Sequence, residues 1–152
     1  MAIKLGTLNN PQEMEVVVSG PQDTNRLIIC TGDAPVSFHQ NALGTQSGST
    51  QSWTFTFLVG PMFQRSQFVR AVVSASLSGV SFSDTAPFAN LPPSLVGGAA
   101  GWKVISADAD WDDESGQVEV RVEVQAMAAA YFQATISGIS YNVSILGAIP
   151  TS

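Results

Sequence analysis

One cysteine, Cys30, leaves no partner for a disulfide within the chain. With a single histidine, His39, beside it, no zinc site of the cysteine and histidine type can be assembled. Basic residues are almost as scarce. Lys4, Arg26, Arg65, Arg70, Lys103 and Arg121 are scattered along a chain of net charge −6, so no basic stripe exists to follow a phosphate backbone, and nucleic acid is not expected as a partner. No run of 18 apolar residues occurs, which excludes a membrane-spanning helix, and MAIKLGTLNN at the start lacks the apolar core of a signal peptide. The expectation is synthesis in the cytoplasm, with later release into an extracellular assembly left open. There is no G-x-S-x-G elbow, phosphate-cradling glycine loop or dinucleotide fingerprint. Cys30 sits in the apolar run RLIIC and reads as a small buried side chain, while His39, near a strand end, reads as a surface residue. The expectation is therefore a protein that is not an enzyme.

Charge of either sign is sparse: 12% of the 152 residues are charged, against about a quarter in an ordinary globular protein. The surface must then be built from Ser, Thr, Gln, Asn and Gly, or part of it must be covered by other chains. Because Phe, Trp and Met occur in strands that already have an apolar face, homo-oligomerisation is expected.

What is present is alternation. From Gln117 to Gln125 the chain reads QVEVRVEVQ, with Val118, Val120, Val122 and Val124 on one side and Glu119, Arg121 and Glu123 on the other. Such a period of two marks a strand with one buried face. Ile105, Ala107, Ala109 and Trp111 alternate with Ser106, Asp108 and Asp110 just before it, and the intervening DDESG suits a hairpin loop whose Gly116 takes a positive φ. A loop from Asp113 to Gly116 places Trp111 opposite Val118, Ala109 opposite Val120, Ala107 opposite Val122 and Ile105 opposite Val124. It also sets Asp108 opposite Arg121 and Asp110 opposite Glu119. Seven of the chain's 12 acidic residues lie between Asp108 and Glu123, and Arg121 is the only cation nearby in the sequence.

Asp108, Asp110 and Asp112, with Glu119 at the twelfth place, superficially match a calcium loop, although Asp113 stands where a helix-flanked loop needs glycine. These four are the candidate ligands for calcium, the only cofactor the sequence suggests. The competing reading is a solvated acidic hairpin that keeps the sheet soluble.

Elsewhere, residues 3–5, Glu13–Ser19, Arg26–Thr31, Val36–His39, Ser52–Val59 and Phe68–Ser83 read as strands, with Gly32-Asp33 and Gly60-Pro61 as stops. Asn41–Gln51 is a polar loop between an N-terminal strand segment, 1–40, too small to stand alone, and a sandwich core, 52–152. Asp84–Gly101, with Pro87, Pro92, Pro93, Gly97 and Gly98, is a long loop read as an interface element. ASLSGVSFS (Ala75–Ser83) and ATISGISYN (Ala134–Asn142) match in type at nearly every place, and in each the apolar parity flips at the glycine, the signature of a β-bulge. The expected fold is an all-β antiparallel sandwich with bulged strands and a long Pro/Gly-rich loop.

The order running from FLVGPMFQRSQFVRAVVSASLSGVSF through ISAD and VEVRVEV to ISYNVSIL, within residues 52–148, resembles the H-type lectin-like sandwich. The resemblance rests on strand order and apolar spacing. It implies a trimer that binds N-acetylgalactosamine-type sugars, and the family's sugar-contacting residues have no match here. Independently, sugar binding needs an aromatic to stack on with planar polar groups nearby, and Trp102, Tyr131, Tyr141 and Trp53 are the candidates. The alternative is a structural subunit, capsid-decorating or fibre-associated, which works through protein contacts.

Overall fold

The computed structural model describes residues 2–18, 25–41, 49–84, 99–129 and 132–148. They form eight strands and no α-helix: β1 (Ala2–Lys4), β2 (Asn9–Val18), β3 (Asn25–Asn41), β4 (Ser49–Val59), β5 (Phe68–Asp84), β6 (Ala99–Trp111), β7 (Val118–Ala129) and β8 (Phe132–Gly147). Two four-stranded sheets stack face to face, ordered β1-β4-β7-β6 and β2-β3-β8-β5, and every pairing is antiparallel except β1 with β4. The all-β sandwich expected from the alternation is the fold.

Alternation decides what lies between the sheets. Val118, Val120, Val122 and Val124 are fully buried and pack with Phe55 and Phe57 of β4 against Ile136, Ile139, Val143 and Ile145 of β8. Each such side chain stabilises the fold by about 1.5–3 kcal/mol on burial. The described residues of the N-terminal segment take part in this core. β3 lies in the interior of the second sheet, paired with β8 from Arg26 to Asn41, and buries Ile28, Cys30, Ala34 and Val36. β3 also runs straight through Gly32-Asp33, where the sequence suggests a stop. Tyr141, opposite Gly32, lies over the glycine so closely that a Cβ there would come within 2.5 Å of its hydroxyl oxygen. The aromatic ring supplies the cover that glycine lacks, so pairing continues.

The hairpin register holds from Trp111↔Val118 through Asp110↔Glu119, Ala109↔Val120 and Asp108↔Arg121 to Ala107↔Val122, and Gly116 has φ +70°. It fails one step further on. A bulge between Val104 and Ser106 makes Val104, not Ile105, the partner of Val124, and Ile105 is left exposed.

The two echoed segments pair with each other. Gly79 of β5 faces Gly138 of β8, with one extra residue in each strand, Ser78 and Ser137, on either side of that pair. β3 bulges at the same level, between Pro35 and Phe38, where Pro35 faces Gly138. A proline inside a sheet needs such a break because it cannot donate to the ladder. Three adjacent strands thus change register along one line. Residues 85–98, which include nearly all of the long Pro/Gly-rich loop, and 42–48 of the polar loop lie outside the described residues.

Candidate functional site

The acidic side chains stand on the outer face of the first sheet. Asp108 and Asp110 of β6 lie beside Glu119 and Arg121 of β7 and line a shallow depression with Trp111 and Asp112. Asp110 and Glu119, directly opposed, would repel each other. Each has a guanidinium of its own: Arg121 reaches Glu119 at 3.5 Å and Arg65 reaches Asp110 at 3.9 Å. Arg121 is therefore not the only cation at the hairpin. The link between β4 and β5 folds over its end, where Phe63 N–H donates to Gly116 O, Trp111 Nε1 donates to Phe63 O, and Gln117 Nε2 donates to Gly60 O. That link delivers Arg65 over the rings of Phe68 and Trp111, at 5.4 and 5.9 Å from their centroids.

Asp112 belongs to the turn rather than to the acidic row. Its Oδ2 accepts hydrogen bonds from Ser115 N–H and Ser115 Oγ, at 2.9 and 2.7 Å, and these two bonds hold its carboxyl below the usual range. Among the described residues no three Asp, Glu, His or Cys side chains converge as metal ligands. Asp108, Asp110 and Glu119 share a face, whereas the Asp112 carboxylate is turned into its own loop.

The four aromatic candidates separate. Tyr141 is a core residue, 4% exposed, with its ring 4.9 Å from Phe57, and burial pushes its hydroxyl pKa up. Trp53 is half-buried and packs on Phe38 at 5.0 Å. Tyr131 lies outside the described residues. Trp102 is half-buried on the inward parity of β6, opposite Ala126, and packs against the core. On the outward side at its level, Gly101, Lys103, Gln125 and Met127 line an open depression of about 260 Å³. Cys30 is buried, and desolvation, with the Glu13 carboxylate adding to it, pushes its thiol up to about 12, so it is inert as a nucleophile. His39 is exposed on β3, with Nδ1 2.9 Å from Thr135 Oγ1.

Compared with known proteins, the chain matches no protein-family model, no curated protein and no solved structure. No helix among the described residues is long and apolar enough to cross a membrane.

A further surface was not singled out from the sequence. On the outer face of the second sheet, Met14, Ile29, Ser144 and Val72 form one row across four strands, and Val16, Leu27, Leu146 and Arg70 form the next. Met14 is 61% exposed, Val72 52% and Val16 43%, and Val18 continues the line. The signal was present in EMEVVV, whose apolar residues occupy both parities, so that one set had to face water. Toward the bulge line the same face turns polar, and Thr31, Asp33, Ser74, Ser76, Ser140 and Asn142 surround an open depression of about 440 Å³.

Proposed function

We propose that this chain is a non-enzymatic structural subunit that works by associating with copies of itself through the outer face of its second sheet. The observation that carries this reading is the apolar stripe of Met14, Val16, Val18 and Val72, bridged by Leu27, Ile29 and Leu146, on a protein with few charges to spend on its surface. Exposed apolar rows of this kind mark contact surfaces. The opposite outer face, with Glu119, Arg121, Glu123 and Asp108, is polar. Light scattering over a range of micromolar concentrations tests the reading: assemblies whose mass falls on dilution are expected, and a monomer throughout overturns it.

A second reading, carbohydrate binding, is supported by the outward depression beside Gly101, where the planar amide of Gln125 and the ammonium of Lys103 stand together. Planar polar groups at an open depression suit a sugar hydroxyl array, in keeping with the resemblance to H-type lectin-like sandwiches. A glycan array on the purified protein, repeated with Gln125→Ala, tests it. Saturable binding lost in the variant is expected if it holds, and no binding overturns it.

A further inference from the structure

We propose that β2 is a pairing edge, and that two copies of this chain join β2 to β2 in antiparallel register about Val16, making one continuous eight-stranded sheet. This inference rests on the self-assembly reading and adds to the contact through the sheet's face a second one along its edge, which joins two apolar faces into one broader face. Among the described residues β2 is hydrogen-bonded to β3 alone, so one side of a ten-residue strand presents unpaired backbone groups. Such an edge is a template for another strand unless the fold blocks it.

The side chains select the register. A twofold axis perpendicular to the sheet keeps each residue on its own face, so only pairings between residues of the same parity are allowed. Centring the axis on Glu15 sets Glu15 against itself. Centring it on Met14 opposes Glu13 and Glu15, and centring it on Glu13 opposes Glu13 to itself. Like charges directly across a ladder are unfavourable. Centring it on Gln12 draws Pro11 and the irregular Asn10, with φ +49°, into the ladder. Centring it on Val17 leaves only the positions from Val16 to Val18 to pair. The axis on Val16 pairs five positions from Met14 to Val18 and opposes no two carboxylates.

In that register Met14 lies opposite Val18 of the second copy and Val16 opposite Val16 of the second copy, so the apolar stripe of one molecule runs into that of the other. On the inner-facing parity the two Glu15 residues are diagonal neighbours, and each is neutralised within its own chain. Glu15 forms an ion pair with Arg26 within its own chain. Because Arg26 pairs with Val17, and Val17 would face Glu15 of the second copy, each carboxylate lies in the same cross-strand row as the guanidinium of the other molecule, two strand spacings or about 10 Å away. The seam then holds two cations and two anions.

Single cysteines read the register directly, because Cys30 is buried with its thiol suppressed and does not compete. Under mild oxidation Val16→Cys is expected to run mostly as a disulfide-linked dimer, while Met14→Cys and Val18→Cys alone do not. Mixed together, Met14→Cys and Val18→Cys are expected to give the crossed dimer. Met14 is the more exposed position, so faster dimerisation of Met14→Cys than of Val16→Cys would indicate random collision and overturn the proposal. A light-scattering mass of three chains, or assembly without the Val16→Cys bond, would also overturn the edge pairing while leaving self-assembly standing. A monomer would remove both. The substitutions lie at exposed positions, and thermal melting of each variant near that of the parent shows that folding is intact.

Discussion

Two glycines with positive φ do different work. Gly116, at +70°, closes the acidic hairpin with open space around it, the nearest atom to a notional Cβ being Phe63 O at 3.5 Å. Gly60, at +77°, ends β4 against the core, and a Cβ there would stand 2.8 Å from Ile145 Cδ1. Gly116→Ala should cost only the left-handed backbone penalty, about 1–2 kcal/mol. Gly60→Ala should add about 1–3 kcal/mol because a fully buried isoleucine must move. Urea unfolding of the two variants checks this, and equal losses would show that Ile145 yields freely. Cys30 gives a second prediction. Its thiol is protonated in both states below its ordinary value of 9.0, but between there and about 12 the unfolded chain releases a proton that the folded one keeps. The unfolded state then binds fewer protons, so stability falls as pH rises through that window. Cys30→Ala should flatten the alkaline part of a stability profile, leaving the slope that the raised pKa of Tyr141 contributes in the same direction.

Elements were legible where one rule ran unbroken. The β6–β7 hairpin could be registered from the sequence because Trp111 back to Ala107 alternates without a fault and Gly116 marks the turn. The fault lies at Val104-Ile105, two apolar neighbours where the alternation allows one, and there the chain inserts a bulge. Gly32-Asp33 misleads in the opposite way. A local stop signal is overridden by the Tyr141 ring, which is 109 positions away in the chain and adjacent only after β3 and β8 pair. Arg65 meets Asp110 for the same kind of reason, through a link whose path no local pattern encodes. The echoed glycines were recognisable as bulges, but their direct opposition was not. That opposition makes a prediction at the scale of two strands. A Cβ on Gly79 would overlap Ser137 Oγ, and one on Gly138 would lie 2.6 Å from Ser78 Oγ. Gly79→Ala should destabilise by about 1–3 kcal/mol. In a Ser137→Ala background it should cost at least about 0.5 kcal/mol less, because the obstructing oxygen is gone. Strict additivity in this double-mutant cycle would mean that the bulges do not touch.

The whole molecule has two unlike outer surfaces, and its mode of work depends on which one meets other copies. The outside of the first sheet places carboxylates beside guanidiniums, Glu119 with Arg121 and Asp110 with Arg65. Such exposed pairs contribute about 0–1 kcal/mol and keep that face in water. The outside of the second sheet exposes aliphatic rows, with Arg70 at one margin and Asp33 in its polar part. If sheets also meet face to face through the aliphatic rows, Val72→Lys, which lies three strands from the β2 edge, must desolvate a charge or lose that face contact. The apparent dissociation constant should rise at least about tenfold, which corresponds to about 1.4 kcal/mol. Val72 is exposed, so the melting temperature of the dilute protein should change little. Arg121→Gln on the other face removes a comparable charge from an equally open position and should leave association unchanged. Sedimentation equilibrium on the two variants separates the surfaces. A weakened assembly in Arg121→Gln with an intact one in Val72→Lys would move the self-contact to the acidic face.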